Sequence, residues 1–472
     1  MEHPERSHPN VTLAVLSSAG LAFSMLSSAV VPALPTIQHD LHTTENGVAW
    51  ILTAYLLSAS VGTAILGRLG DMYGKEHVLV WTLGVLSVAT LLAGVSNSLA
   101  LLIVARTIQG VGGGIFPLAF GIIRDEFPRE KVAGSIGLMS ALLGIGGGVG
   151  ILVGALIVEH LSWHWLFWLP LVLIVAAAVC TWRFVPESPV RVPGRINWLA
   201  AALMSIGMTM VLVAVSETTT WGWGSARTLA VLLGGIAVCV VWVVVESRSA
   251  QPLIDMALMR ARAVWTANLT AFLLGAGMYA SFIVFPLFAQ LPKSTGFGFG
   301  ASAVVSALYL LPSTLGMVVF GSAAGRIAAR FGSKLALVAG SAVTALAFLW
   351  LALWHAHPYD MLISSGLLGI GIGLSFSALG NIVVQAVDER QTGVASGMNT
   401  VMRTVGGALG GQLTATFIAD HTSHGLPTVT GFTDAFVLST AFLVVCALAA
   451  LLVPGRHSSQ YVVHYEEVVA AD

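Results

Sequence analysis

GRLGDMYG at residues 67–74 and GRIAARFG at residues 325–332 are two glycine-punctuated loops built to one plan. Each lies between apolar stretches long enough to cross a bilayer, and the offset is 258 positions (325 − 67). Further on, the offset recurs with a slip of one. GVGGG at 110–114 answers GIGIG at 369–373, and Gly134 and Gly147 answer Gly393 and Gly406. Unrelated helices do not hold register over such a length, so the spacing predicts a duplicated membrane bundle. Duplication in a helical membrane protein points to a transporter.

Composition agrees on the solvent. Of 472 residues, 56% are hydrophobic and 9% charged, against about a quarter charged in soluble domains. The net charge of −1 gives no case for a nucleic-acid partner or a polybasic surface anchor. Cys180, Cys239 and Cys446 all fall inside apolar runs without metal-like spacing and read as packing residues. No metal and no cofactor is expected. The first apolar run has no small-residue cleavage site and reads as a retained signal anchor.

Fourteen segments are long enough to cross roughly 30 Å of hydrocarbon as helices. They lie near 11–35, 48–67, 78–97, 99–122, 135–158, 165–184, 197–215, 228–247, 264–290, 301–324, 335–354, 360–383, 395–418 and 434–453. Runs of this length exceed the 9–11 residues of a membrane barrel strand. With both termini cytoplasmic, 17 of the 21 Lys and Arg residues fall in inside segments, and only Arg227 and Lys293 in outside loops. The other two, Arg106 and Arg403, lie inside helices. Such a bias supports both count and orientation. The expected fold class is an all-α integral membrane protein of 14 helices in three parts: a six-helix bundle over 1–184, a linker and two inserted helices over 185–262, and a second six-helix bundle over 263–454. Residues 455–472 form a tail, and the linker VPESPVRVPGR at 185–195 has the proline and charge of a solvent loop.

The motifs also resemble a known family. GRLGDMYGK (67–75) resembles the first signature of the major facilitator superfamily, and VARTIQGVGGG (104–114) its fourth-helix signature. SWHWLFWLP (162–170) is similar to the tryptophan-rich opening of helix 6 in the fourteen-helix drug:proton antiporter (DHA2-like) branch. The resemblance implies a multidrug-efflux antiporter working by alternating access. Three positions depart from that branch. Leu26 stands where it commonly has a helix 1 aspartate, Ile151 where its helix 5 signature has a proline, and Lys75-Glu76 where two basic residues end the first loop.

The resemblance assigns Asp71, with Gly67, Gly74 and Lys75, to a cytoplasmic gate, the aspartate facing the N-terminus of a helix in the other half. Helix 13, beginning near Gly393, offers that end, and a carboxylate beside it is stabilised by up to about 2 kcal/mol. Asp125 and Glu126, at the foot of helix 4, are the expected partners of Lys75. The second loop has Ala329 in place of the aspartate, so only the first copy carries the carboxylate. Arg106, where an arginine costs from about 2.5 kcal/mol upward, is expected to face the interior near Gln109, and the resemblance links it to proton transfer. Its alternative is to snorkel to the interface. Arg403 is either a coupling residue or a packing arginine. Gly144, Gly148, Gly150 and Gly154 are expected to let helix 5 pack and slide; the Gly-x-Gly pattern lacks the strand and lysine of a nucleotide loop. Trp163, Trp165 and Trp168 read as an outer interface belt.

All 22 Asp and Glu residues fall in loops, tails or predicted helix ends. Two intramembrane arginines without a midplane acid disfavour cations, so the expected cargo is a small neutral or anionic lipophilic molecule. Tyr55, Asn268, Tyr279, Tyr309, Asn381 and Gln385 are the candidate cavity contacts. A membrane enzyme would need a clustered acid, His or Cys site, and no HExxH occurs. The expectation is therefore a monomeric, multi-pass exporter in the cell membrane, with protons as coupling ion; uniport or anion-coupled movement is the alternative.

Overall fold

The computed structural model describes residues 9–188, 197–249, 252–423 and 426–455; most of the expected linker and tail, with Arg6, Arg191, Arg195 and Arg456, lies outside these. Among the described residues, the regular structure is helical apart from a two-rung antiparallel ladder between Thr422–Ser423 and Leu426–Pro427. The first bundle runs α1 (Pro9–Asp40), α2 (Glu45–Tyr73), α3 (Lys75–Gly94), α4 (Leu99–Glu126), α5 (Arg129–His160) and α6 (Trp165–Phe184). Then come α7 (Trp198–Ser216) and α8 (Ala226–Ser247), followed by α9 (Arg262–Met278, resuming as Ala280–Gln290) and α10 (Ala303–Tyr309, resuming as Leu311–Phe331). The last four are α11 (Ser333–Leu353), α12 (Pro358–Ala386), α13 (Thr392–Asp420) and α14 (Val429–Ala450).

Twelve of these helices have the length and apolar composition to cross a membrane. The other two are α9 and α13. Tyr279 divides α9 into pieces of 17 and 11 residues, and α13, although 29 residues long, is rich in glycine and threonine and carries Asn399, Arg403 and Gln412. Prolines explain two other breaks. Pro32 sits in a 3-10 turn within α1, and Pro312 opens the second piece of α10, because a proline cannot donate the i→i−4 bond. Thr44, Ser98, Asn197 and Ser225 cap helix starts with side-chain oxygens.

Three apolar clusters organise the packing. One gathers residues of α1–α6, among them Leu16, Ile51, Leu83, Phe116 and Phe167. A second centres on Phe288, whose ring meets Phe297, Phe299, Phe432 and Phe436. The third is built from Met204, Met208 and Trp242 of the inserted pair with Ala64 of α2 and Val394 and Met398 of α13. Thus α7 lies over the line where α2 meets α13.

The duplicated glycines meet one another across the molecule. A Cβ on Gly67 would stand 2.5 Å from the carbonyl oxygen of Gly393, and one on Gly325 would stand 2.7 Å from the Cα of Gly134. Gly67 and Gly325 are the matched pair of the first offset, and Gly134 and Gly393 of the second, so the two seams, α2/α13 and α10/α5, are copies of one contact. Along α5, Gly144 and Gly148 face Met317 and Thr314 of α10, while Gly150 and Gly154 face the backbone of α1 at Met25 and Ala29. One helix thereby packs on both bundles. The tryptophan belt needs a correction: Trp165 is exposed, but Trp163 is buried, stacked on His164 and edge-on to Phe167.

The seams make a prediction. Gly67→Val overfills a backbone contact and lowers stability by roughly 1–3 kcal/mol, whereas Gly84→Val, on an α3 face with nothing within 4 Å, costs far less. Thermal unfolding of the two variants in detergent checks the difference.

Candidate functional site

Both loops of the repeated motif turn on a glycine that no other residue replaces without strain. Gly74 has φ 108° and Gly332 φ 87°. The first reversal follows the foot of α2, which lies against the start of α13 where Gly67 meets Gly393. There the Asp71 carboxylate accepts a hydrogen bond of 3.3 Å from the Val394 backbone N–H, one of the free donors of a helix N-terminus. Lys75, fully buried, stands 3.7 Å from Asp71 and 2.6 Å from Asp125. Ser188 donates to the same Asp125 oxygen. The lysine stem runs over Gly121, where a Cβ would sit 2.5 Å from its Cδ. Of the two acids expected to pair with Lys75, Asp125 forms the bond; Glu126 closes α4 one residue later.

Arg124 escaped the sequence reading. Its guanidinium crosses to the second bundle and donates to the Val387 carbonyl at 2.7 Å, the Asp388 carbonyl at 3.3 Å and the Thr392 hydroxyl at 2.8 Å. Its one available signal was its place in the charge run Arg124-Asp125-Glu126. Nearby, the Asn381 amide donates to the Ala133 carbonyl at 3.1 Å. The motif end of the bundle is therefore closed by polar bonds as well as by glycine seams. At its edge, ligand-type atoms of Glu76, His77 and Glu187 lie within 4.8 Å of one another. His77 bonds Glu187, which ties the start of α3 to the chain leaving α6.

Arg106 is wholly buried and does not reach the interface. It donates to the carbonyls of Ile51 and Leu26 at 3.3 Å each and to the Gln109 side chain at 3.0 Å, and its guanidinium lies 4.1 Å from the Tyr55 ring centroid. Gln109 passes the chain on to the Thr90 hydroxyl at 3.2 Å. This knot joins α1, α2, α3 and α4 inside the first bundle.

Between the bundles lies a cleft lined by Phe116 and Phe120 (α4), Ser140 and Leu143 (α5), Phe376, Gly380 and Val383 (α12), and Ser396, Asn399, Thr400 and Arg403 (α13). Its free volume of about 20 Å³ holds little more than one water, so both bundles are drawn together around it. A larger groove beside Tyr73 and Trp81 opens outward between α2 and α3 and carries no convergent polar set. Arg403 joins the cleft, its guanidinium 4.5 Å from the Phe376 centroid and bonded to the Tyr279 side chain.

None of the six expected cavity contacts is among the lining residues. Tyr55 is covered by Arg106, and Asn381 is spent on carbonyls. Gln385 is exposed on the last turn of α12, and Tyr309 packs on Phe299 far from the motif end. Asn268 and Tyr279 lie one layer out, bonded to Asn399 and Arg403. Tyrosine, asparagine and glutamine are as useful for tying helices together as for meeting a ligand.

The buried charges generate a prediction. Asp125→Asn leaves Lys75 with only its longer partner and costs about 3–5 kcal/mol, while the double variant Asp125→Asn with Lys75→Met recovers most of the loss. Melting temperatures of the wild type and both variants check it.

A sequence profile described as Major Facilitator Superfamily matches residues 16–411 and, overlapping it, 269–464. An uncharacterized MFS-type transporter of Mycobacterium tuberculosis (strain ATCC 25618 / H37Rv) is 32% identical over 412 residues, which cover 84% of this chain and 58% of that protein. This chain therefore spans little more than half of that relative's length. The tetracenomycin C resistance and export protein of Streptomyces glaucescens is 28% identical over 466 residues, covering 96% of this chain and 85% of that one. In fold, the human organic anion transporter MFSD10 (TETRAN) superposes with a TM-score of 0.67 at 15% identity, over 95% of this chain and 100% of that one. With the profile across most of its length, a helical bundle and, among the described residues, twelve helices of membrane-crossing length, this chain belongs to the Major Facilitator Superfamily.

Proposed function

We propose that the chain is a fourteen-span secondary transporter of the cell membrane, monomeric and with both termini cytoplasmic. It exports a small lipophilic neutral or anionic compound by alternating access, in exchange for protons. The observation that carries this reading is the pair of equivalent seams, closed at one end around a cleft that both bundles line. Parting the seams opens the cleft to the motif side; parting the far end opens it to the other. The bundles over 1–184 and 263–454 are the rocking bodies, and the pair inserted between them rides on the α2/α13 seam. The excess of Lys and Arg at the motif end supports its placement in the cytoplasm, and the Streptomyces relative named for export supports the direction.

The charges at the motif end support a link between closure and protons. Two buried carboxylates, Asp71 and Asp125, share one lysine, and the N-terminus of α13 supplies the remaining positive end. Drawing α13 away removes that compensation, which a proton on the carboxylate pair would replace. A second reading, uniport or anion-coupled movement, is favoured by one observation. Among the described residues, every Asp and Glu lies in a loop or within two turns of a helix end.

Liposomes holding the purified protein and a pH-sensitive dye, offered cationic, neutral and anionic compounds, decide between these. Proton counterflow driven by the neutral or anionic compounds is the expected result; flux indifferent to a pH gradient would overturn the antiport. In the same assay Asp71→Asn is expected to slow turnover roughly tenfold, the weight of about one hydrogen bond to a charged group, with less effect on binding. Arg106→Ala, which unties the first bundle, is expected to abolish flux.

A further inference from the structure

Three buried polar atoms on the cleft lining have no hydrogen-bond partner: Nε of Arg403, Oγ of Ser396 and Oγ of Ser140. The residues are 8%, 3% and 5% exposed, so water does not satisfy them from outside. All three can donate, and the guanidinium nitrogen can only donate. The other polar side chains there have spent their donors. The Asn399 amide is bonded to the Ala267 carbonyl and the Asn268 side chain, and the Thr400 hydroxyl to the Ser396 carbonyl. No carboxylate lines the cleft, and Arg403 is the one charged residue among its lining residues. Phe116, Phe120 and Phe376 supply the remaining walls, with Phe376 already stacked under the guanidinium.

We propose that this cleft is a binding site for aromatic carboxylates. The acid group is held by Arg403 with Ser396 and Ser140, and the ring lies among Phe116, Phe120 and Phe376. Unpaired donors around a single cation demand an anionic acceptor, and three phenylalanines demand an apolar, flat body beside it. The proposal rests on the transporter reading for its place in a cycle and narrows the cargo from neutral or anionic to anionic. It also separates the two intramembrane arginines. Arg106 is held inside the first bundle by two carbonyls, Gln109 and Tyr55, and its unpaired Nη2 lies off the cleft, whereas the unpaired donor of Arg403 is on the cleft wall. Ser140 sits on α5 and Arg403 and Ser396 sit on α13, so the acid group meets donors of both bundles. The closed cleft, with about 20 Å³ free, has no room for the ring, so the ligand is taken up with the bundles drawn further apart.

The test uses the full chain in detergent and in liposomes. Benzoate, 1-naphthoate and 9-anthroate are compared with their neutral methyl esters and with the matching arylmethylammonium cations. Tryptophan fluorescence reads binding and counterflow reads transport. At least one carboxylate is expected to bind roughly tenfold tighter than its ester and cation, the scale of one discriminating charged contact. Arg403→Met removes that preference and Arg403→Lys keeps part of it. Ser140→Ala and Ser396→Ala, which fold on the evidence of their melting temperatures, each weaken carboxylate binding severalfold, and Arg390→Met, at an exposed arginine, changes nothing. Equal affinity for acid and ester, no binding of any of the three acids, or a preference that survives Arg403→Met would overturn the proposal. Its failure is distinguishable from failure of the transport reading. Arg403-dependent binding without flux sinks transport alone, and flux of esters but not acids sinks this proposal alone.

Discussion

Everything at the motif end depends on two places where backbone touches backbone. Gly67 against Gly393 and Gly325 against Gly134 let the bundles approach closer than any side chain permits. Only at that distance does the Asp71 carboxylate reach the Val394 N–H, and only then can Arg124 span to the carbonyls before α13. The polar bonds are thus conditional on the glycine contact. A seam relaxed by one methyl group lengthens a charge-assisted bond that is already at 3.3 Å. Packing sets the geometry, and electrostatics fastens it on one side only, since the second loop has Ala329 where the first has Asp71.

The duplication was legible because glycine has one meaning at such a contact. Gly74 and Gly332 repeat at the offset of 258 because both chain reversals need a positive φ, and the seam glycines repeat because both seams need the same clearance. The interior position of Arg106 was legible from cost alone. What could not be read were contacts whose far partner is a main-chain carbonyl. Arg124 bonds two main-chain carbonyls, and carbonyls carry no residue-type signal. The cleft escaped for a different reason: Phe116, Phe120 and Ser140 look like any other residues of a buried helix until the opposite bundle is in place. Trp163 failed as a belt residue because a tryptophan next to an interface is equally able to turn inward and fill the gap behind His164.

The helix count shows how function erodes a composition signal. The helix α13 misses the hydropathy that twelve others meet, while α9 is cut below membrane length at Tyr279, and α9 packs on α13 one layer behind the cleft. Asn399 of α13 bonds Asn268 of α9, and Arg403 bonds Tyr279 at the break between the two pieces of α9. A helix that must carry Asn, Arg, Ser and a run of glycines on its inner face cannot also be uniformly apolar. Low apparent membrane propensity and proximity to the cleft are therefore two consequences of one demand.

The two buried arginines divide structural from chemical work. Arg106 reaches the carbonyl of Leu26, the position where the resembling branch has an aspartate. With leucine there, the arginine has no carboxylate in that position and falls back on main-chain oxygens, Gln109 and an aromatic face. That arrangement can hold three helices to α4 but offers no proton acceptor beside the charge. Arg403 faces a cleft whose lining contains no acid. A cation in such a place is stable in the closed state only because its guanidinium shares charge with Phe376 and Tyr279. The positive potential it leaves in a low-dielectric cleft acts over several ångströms. Under the proposed transport reading, leucine at position 26 and arginine at position 403 act in the same direction, against cations and toward anions.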